Sequence, residues 1–296
     1  MAQVARTVQV LKPFTNGMRS PVIAPVTRGI LGIPLFVFAA STATLFAWTI
    51  QPPLTAAILG ANYWSSVALA ILAARERFWA YGRISISVAL VFAPITTAAT
   101  LIHFGLFHTD SSGFTWFITW FWIVAYTIYP IQLGVMLAKQ LRTEGGDPPR
   151  TAPLPVWVRA VFAAQAILLI PLGVLMFVAP KLVAGMWPWA VPPLSSRVLS
   201  AWVLAFGVLA AHGLWENDFH RVRVALFGYP VFVVLHVVAL LRFGDVLQWD
   251  EPGPFLYLAF IGSCILLGAY GLANRNLVPE DHWIEVEEGR AEAFHE

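Results

Sequence analysis

Eight long apolar segments constrain this chain more than any other feature of its sequence. They lie at approximately 29–50, 54–73, 84–105, 114–138, 156–178, 195–214, 223–242 and 254–273. A bilayer core of about 30 Å requires roughly 20 apolar residues in a helix, which is close to the length of each segment. Of the 296 residues 58% are hydrophobic and only 11% are charged, which is more apolar surface than a soluble domain can bury. The sequence therefore predicts an all-α integral membrane protein with eight transmembrane helices.

An internal repeat organises these segments. Positions 52–101 align without a gap with positions 192–241, and both stretches begin with Pro-Pro-Leu. Each unit would contain four helices, and because four is an even number both units enter the membrane from the same face. The sequence thus predicts two parallel four-helix repeats related by a pseudo-twofold axis. The predicted divisions are a cytoplasmic tail at 1–28, a first unit at 29–138, a cytoplasmic linker at 139–155, a second unit at 156–273 and an acidic cytoplasmic tail at 274–296.

The distribution of basic residues predicts the orientation of the chain. In the eight-helix arrangement nearly all lysines and arginines fall on one side, so both termini are expected in the cytoplasm of a multi-pass protein of the inner (plasma) membrane. The excess of arginine over lysine indicates a bacterial genome rich in GC. A net charge of +2, without a basic cluster, argues against a nucleic-acid partner.

Polar residues inside the predicted helices are candidates for a ligand site or a transport pathway. His236 is placed past the membrane midplane, where an ionisable group is costly and often functional. Tyr229 lies seven residues earlier on the same helical face, and the counterpart of His236 in the first repeat is Thr96, with Thr97 and Thr100 nearby. The sequence permits a polar patch between the two units, whereas a histidine that only joins two helices by a hydrogen bond is the commoner case.

The two Pro-Pro-Leu motifs predict helix starts at the outer membrane interface. Thr55, Ser195 and Ser196 could accept hydrogen bonds from the unpaired N–H groups of the first turn, and Arg197 could help such an end to hold an anion. The alternative is a structural turn anchored in the aromatic belt of the membrane interface, which we favour. The expected anchors are Trp48, Trp187 and Trp189.

Two matched charge pairs are predicted at the cytoplasmic helix ends. Glu76 and Glu216 end helices where the helix dipole disfavours a carboxylate. Arg83 and Arg223 follow seven residues later, so each could fold back across a short loop onto the glutamate of its own unit. Such a pair could act as a transport latch or as a static clip, and the sequence favours a clip that contributes under about 1 kcal/mol if it is exposed.

No metal or cofactor is expected. The single cysteine, Cys264, excludes an intrachain disulfide, a cysteine zinc site and an iron–sulfur cluster, and His103, His108 and Asp110 match no metal motif. The fourth predicted span is unusually aromatic, which suits either a flat ligand such as a quinone or ordinary packing, and packing is favoured. Its aromatic residues are Phe114, Trp116, Phe117, Trp120, Phe121 and Trp122.

The repeated order of Trp, Pro-Pro-Leu-[Ser/Thr], a small-residue helix, Glu and Arg resembles uncharacterised bacterial multi-pass membrane proteins. Each unit also looks distantly like a four-helix DoxX-type membrane protein, with Leu194 to Gly213 the nearest stretch. The resemblance implies the topology and carries over no catalytic residue.

Three functions remain open at this point. The leading hypothesis is a non-enzymatic scaffold or accessory subunit that binds membrane lipids or another membrane protein or complex. The first alternative is a small transporter with a pathway between the two repeats, and the second is an intramembrane enzyme acting on a lipid or quinone, for which the sequence supplies no cluster of reactive groups.

Overall fold

The computed structural model describes residues 10–19 and 23–277, and the described chain is helical. Four short or early helices are α1 (Asn16–Arg19), α2 (Ile23–Phe36), α3 (Thr42–Leu45) and α8 (Pro180–Val183). The seven long helices are α4 (Pro53–Ala74), α5 (Trp79–Ile102), α6 (Gly113–Arg142), α7 (Val156–Val178), α9 (Pro193–Glu216), α10 (Phe219–Phe243) and α11 (Gly253–Ala273). Within the described residues these seven are long and apolar enough to cross a membrane, which agrees with a helical membrane protein.

The first predicted span is not one straight helix over 29–50. Helix α2 ends at Phe36, a single 3₁₀ turn and α3 follow, and the chain bends by 89° at the break. The bend is stabilised from far along the chain, because Arg242 donates hydrogen bonds to the carbonyl groups of Phe36 and Val37 that end α2. Beyond the bend, the Thr42 hydroxyl accepts from the N–H of Ile50 at 3.0 Å and closes the loop.

The long helices of the first half (α2–α6) and the second half (α7–α11) pack against each other crosswise. Helix α4 packs along α10, and α5 packs along α9, while α5 and α10 also touch each other. On the flanks α2 packs against α4 and α7 against α9, and α6 and α11 lie against α5 and α10. The centre of the bundle is therefore built from helices of both halves.

Small residues allow the closest of these approaches. A Cβ atom on Gly60 would lie 2.5 Å from the backbone nitrogen of Phe36, and one on Gly173 would lie 2.9 Å from the backbone nitrogen of Leu204. Both distances are too short for any side chain, so these glycines fix how near α2 comes to α4 and α7 to α9.

The tryptophans expected in an interfacial belt are instead core residues. Trp48 is 2% exposed, Trp189 is not exposed at all, and Trp187 is also buried. Trp48 packs against Phe46 and Trp122 with ring centroids 4.9 Å apart in each pair. The belt prediction is wrong for these three side chains because they fill space between helices at the end opposite the ion pairs.

Apolar side chains do remain exposed on α6, α7, α10 and α11, as expected for helices that face lipid.

The predicted cytoplasmic tail and linker are partly docked onto the bundle. Residues 10–14 run beside the linker, where the Lys12 N–H donates to the Gly146 carbonyl and the Gly146 N–H donates to Val10, each at 2.9 Å. Phe14 is 3% exposed and packs edge-on against Trp79. Helix α6 continues to Arg142, four residues into the predicted linker. Beyond Leu277, the predicted acidic tail lies outside the described residues, as do residues 1–9 of the predicted N-terminal tail.

Candidate functional site

A cavity of about 490 Å³ lies among α7, α9, α10 and α11, and we call it the second-half cavity. Ile58 and Asn62 of α4 and the Met186–Pro188 segment complete its wall. Its volume falls in the range of roughly 300–1,000 Å³ that is usual for small-molecule sites. Most of the wall is aliphatic or aromatic, including Leu168, Leu169, Leu172, Leu199, Val203, Phe206, Phe232, Leu256 and Phe260.

Four buried polar atoms belong to residues of this wall and have no hydrogen-bond partner among the described residues. They are Asn62 Oδ1, Trp187 Nε1, Trp202 Nε1 and the Tyr257 hydroxyl. Nearly all buried polar groups in proteins are paired, and each unpaired one costs about 1–3 kcal/mol. Their concentration around one cavity makes it the candidate ligand site of this protein.

His236 adds an acceptor to the same wall. The side chain is 1% exposed, and its Nδ1 lies 2.8 Å from the Phe232 carbonyl oxygen one helical turn earlier. Because a carbonyl oxygen can only accept, Nδ1 carries the proton and Nε2 of the neutral ring is an acceptor. The ring also lies 6.4 Å, centroid to centroid, from that of Tyr257. The sequence prediction of His236 as a ligand candidate thus corresponds to a position on a cavity wall.

Gln165 connects the cavity to the interface between the halves. Its Nε2 donates to the Ser263 hydroxyl at 2.8 Å, and its Oε1 accepts from the Tyr229 hydroxyl at 3.4 Å. Tyr229 does not line the second-half cavity; it lines a smaller space of about 40 Å³ between the halves, whose wall also contains Asn62. The predicted candidate Tyr229 is therefore one hydrogen bond away from the cavity wall.

The three candidate threonines do not join His236. Thr97 and Thr100 donate to carbonyl groups one turn back in their own helix, and Thr100 also accepts from Trp122 Nε1 at 3.0 Å. Thr96 is fully buried, and none of the three lines the second-half cavity. The expected polar patch shared by the threonines and His236 is not formed, because Thr97 and Thr100 contact Tyr126 and Trp122 of α6 instead.

The helix starts at the two Pro-Pro-Leu motifs are packed and lack side-chain caps. Thr55 accepts from Trp189 Nε1 at 2.7 Å, and Ser196 donates to the Met176 carbonyl at 3.3 Å. Ser195 is 1% exposed, and neither α4 nor α9 has a side-chain hydrogen bond at its N-cap. The expected capping is not formed, and the Thr55 and Ser196 hydroxyls bind Trp189 and the Met176 carbonyl rather than the first turn.

Arg197 is engaged by protein groups. Its Nε donates to the Phe177 carbonyl at 2.9 Å, and its Nη1 donates to His103 Nε2 at 2.6 Å. A guanidinium has only donors, so this contact needs the imidazole to be neutral. Burial, together with the charge of Arg197, lowers the pKa of His103. The guanidinium of Arg197, which the sequence suggested for an outer anion site, therefore forms contacts between helices instead.

The four residues of the predicted ion pairs do form two pairs, but with exchanged partners. Arg83 binds Glu216, with Nε 2.5 Å from Oε1, and Arg223 binds Glu76 through two contacts of 2.6 and 3.0 Å. The prediction of pairing across each short loop is wrong, because α5 packs on α9 and α10 packs on α4. We call this end of the bundle the charged end.

Glu216 is the centre of a larger buried network. Its side chain has no exposed surface, and Arg221 lies 2.9 Å, His212 3.2 Å and Arg150 3.7 Å from its oxygens. The expectation of a weak exposed clip is therefore wrong for Glu216, because burial makes the loss of one partner of a charge pair costly.

The histidines near the outer loop make separate contacts. His103 binds Arg197, whereas His108 lies 3.0 Å from the Phe46 carbonyl and 3.2 Å from the Thr49 hydroxyl. In residues 10–19 and 23–277, three or more histidine, cysteine or acidic side chains nowhere gather as a metal site would require.

Sequence reasoning missed Asn62, Gln165 and Tyr257. A signal was present, because an amide side chain inside a long apolar helix is costly in a membrane unless it has a partner. The residues lie on α4, α7 and α11, so only the packing of those helices shows that they share one wall.

No protein family, no curated protein and no solved structure matches this chain.

Proposed function

We propose that this protein is a non-catalytic membrane protein that binds an uncharged, lipid-soluble molecule in the second-half cavity. The observation that carries the proposal is the set of four unpartnered polar atoms in the wall of one apolar cavity, next to the acceptor Nε2 of His236. The sequence predicts an accessory subunit that binds either membrane lipids or another protein, and this function corresponds to the first of the two.

The wall chemistry favours a neutral ligand. Among the described residues that line the cavity none is an aspartate, glutamate, lysine or arginine. A charged ligand in this apolar site would lose its hydration without gaining an opposite charge, which is strongly unfavourable. Two indole N–H groups and a phenol can donate, while Asn62 and His236 can accept, so a molecule with carbonyl and hydroxyl groups on an apolar body fits.

The hydroxyl chemistry of the wall supports binding rather than acyl transfer. Ser263 is a hydroxyl nucleophile candidate in the wall, and it donates to the Phe260 carbonyl at 2.6 Å. A serine nucleophile needs an adjacent base to accept its proton, and this proton is directed to a backbone carbonyl instead.

We also infer that the chain crosses the membrane eight times, with both termini on the cytoplasmic side. The support comes from residues before α4: Pro13 forms a bridge with Phe78 near Glu76 at the charged end, whereas the Thr44 carbonyl accepts from Thr115 at the opposite end. Pro13 and Thr44 thus lie at opposite ends of the bundle, with the bent segment of α2 and α3 between them. The arginine-rich charged end would face the cytoplasm of the bacterial inner membrane.

The two halves are proposed to be a duplicated four-helix unit. In the sequence repeat, Glu76 and Glu216 occupy equivalent positions 140 residues apart. In support of a duplication, Arg83 binds Glu216 in place of Glu76, and Arg223 binds Glu76 in place of Glu216. The packing of α5 on α9 and of α10 on α4 has the same reciprocal form. An axis between α5 and α10 would account for both observations.

The ligand proposal is tested by filling the cavity. Ala164 lines the second-half cavity, and Ala164→Trp would occupy much of its space. The full chain is purified in a mild detergent, extracted with organic solvent, and the extract is compared by mass spectrometry. We expect an uncharged lipid-soluble molecule to be enriched with the wild-type protein and absent from Ala164→Trp.

A matched variant controls for the added tryptophan. Ala125 lines a separate groove of the first half, so Ala125→Trp should retain the extracted molecule. Tyr257→Phe removes one hydroxyl and should weaken binding of the recovered molecule about two- to tenfold, the size of one neutral hydrogen bond. Recovery of no enriched molecule from the wild type, or equal recovery from Ala164→Trp, would contradict the proposal.

A further inference from the structure

A second apolar space lies on the opposite half of the protein. This groove has a volume of about 440 Å³ and follows one face of α6 from Trp116 to Gln132, with Phe92 and Arg28 as its other walls. We call it the first-half groove. From Trp116 to Gln132 the helix rises by about 24 Å, at about 1.5 Å per residue, so the groove is long and narrow.

The groove opens onto the lipid-facing side of the bundle. Trp116 and Val124 are each 50% exposed, and Ile128 is 54% exposed. Phe117 and Phe121 stack with ring centroids 5.8 Å apart and form a continuous apolar surface along the helix. A hydrocarbon chain can therefore enter from the bilayer and lie along α6 without passing through the protein.

Arg28 places a positive charge at one end of this apolar wall. Its Nη2 donates to the Tyr129 hydroxyl at 2.7 Å, its Nη1 lies 3.5 Å from the Ser66 carbonyl, and the guanidinium lies over the Tyr129 ring. Among the described residues no carboxylate lies within ion-pair distance of Arg28, in contrast to Arg83 and Arg223. A cation in a membrane span is costly unless it has a counter-charge, and a guanidinium has five donors to satisfy.

We propose that the first-half groove binds a long-chain fatty acid, with its carboxylate at Arg28 and Tyr129 and its chain along the aromatic face of α6. The two carboxylate oxygens would accept hydrogen bonds from two parallel N–H groups on one edge of the Arg28 guanidinium. This paired geometry is the one in which arginine binds carboxylates most specifically. This site is independent of the ligand proposed for the second-half cavity.

Shape and depth favour a fatty acid over a phospholipid. The groove follows a single face of α6, which suits one extended hydrocarbon chain. The Ser66 carbonyl beside Arg28 is eight residues inside the end of α4 at Ala74, or about 12 Å along the helix. A bilayer phosphate at the membrane surface would not reach that depth, whereas a free carboxylate can.

The test measures binding of palmitate to the full chain in nanodiscs of uncharged phosphatidylcholine. Hexadecanol has the same chain without the charge, and phosphatidylglycerol is the anionic phospholipid competitor. We expect palmitate to bind the wild type at least about tenfold more tightly than hexadecanol, because a charge-assisted hydrogen bond contributes a factor of this size or more. Equal affinity of the two probes, or displacement of palmitate by an equal concentration of phosphatidylglycerol, would overturn the proposal.

Variants locate the site. Arg28→Gln should weaken palmitate binding about tenfold to hundredfold and leave hexadecanol unchanged, and Arg28→Lys should restore part of the affinity. Arg159→Gln is the matched control, because Arg159 of α7 is also half-buried and without an ion pair among the described residues but lies outside the groove. Ala125→Trp should block palmitate, whereas Ala164→Trp should not. If Arg28→Gln folds poorly, Ala125→Trp and Arg28→Lys still test whether palmitate binds in the first-half groove. Unchanged palmitate binding by Ala125→Trp would contradict the proposed site.

Discussion

Arg83 of α5 donates to Glu216 at the end of α9, with 2.5 Å between Nε and Oε1 and 133 residues between them in the chain. The reciprocal pair, Arg223 with Glu76, joins α10 to the end of α4. Each contact ties one half of the protein to the other at the charged end. The two pairs differ in burial, because the Glu216 side chain has no exposed surface and the Arg223 side chain is 23% exposed.

Removing the charge of Glu216 should be strongly destabilising. Glu216→Gln leaves Asp147 as the carboxylate that Arg83 and Arg221 share, at 2.7 and 3.4 Å. Because Asp147 offsets part of the two charges, we expect the free energy of unfolding to fall by about 3 kcal/mol, the lower end of the cost of breaking a buried charge pair. The measurement is denaturant unfolding of the purified protein in mixed micelles.

Glu76→Gln is the control for that experiment. Only Arg223 loses its partner there, and the pair is more exposed, so the loss of stability should be clearly smaller. Equal losses for the two variants would show that burial of Glu216 does not set the strength of its network.

Gly60 should not tolerate even a methyl group. A Cβ atom at this position would lie 2.5 Å from the Phe36 backbone, so Gly60→Ala must push α2 away from α4. We expect a loss of about 1–3 kcal/mol of stability, as for other overpacked contacts. Gly134 has no neighbour within 4 Å of such a Cβ, so Gly134→Ala should be neutral or slightly stabilising. Thermal unfolding of both variants in the same detergent decides the comparison.

The His103–Arg197 contact should make stability depend on pH. The pKa of His103 in the folded protein is lowered from its ordinary value of 6.5, so the folded state resists protonation that the unfolded chain accepts. The contact therefore contributes fully above pH 6.5, and its contribution is lost as the pH falls through the lowered pKa.

His103→Gln tests this directly. The melting temperature of the wild type should fall between about pH 7.5 and about pH 5.5 by more than that of the variant, since glutamine does not titrate. An identical pH dependence of the two proteins would rule out the contact as its source.

The crosswise packing of α4 and α10 can be tested by crosslinking. A Cβ on Gly228 would lie 3.4 Å from a terminal carbon of Leu69, and Cys264 is the one cysteine to remove beforehand. In a Cys264→Ser background with a protease site placed in the linker, Leu69→Cys with Gly228→Cys should join the two halves through a short thiol crosslinker.

The matched control moves one cysteine to an open position. Gly262 has no neighbour within 4 Å, so Leu69→Cys with Gly262→Cys should leave two separate fragments after cleavage. Fragments that separate in both variants would contradict the packing of α4 on α10.

Some of this structure could be predicted because its cause is local. Seven of the eight apolar segments are long helices, since a run of about 20 apolar residues in a membrane must satisfy its own backbone hydrogen bonds. The bend of the first segment could not be predicted, because the donor that satisfies its end is Arg242, 206 residues from Phe36. His236 was identified as a candidate from its cost inside an apolar helix, but its neighbours on the cavity wall were not.

The sequence by itself determined which segments are apolar helices, which residues carry charge at their ends, and that His236 lies deep among apolar side chains. Only the tertiary structure decided that Arg83 binds Glu216 rather than Glu76, and that Asn62, Gln165 and Tyr257 surround one cavity. The physical reason is that helix formation depends on hydrogen bonds four residues apart. The partners in the ion pairs and the residues in the cavity wall instead depend on which helices pack side by side. Close contacts such as that of Gly60 with Phe36 determine this packing.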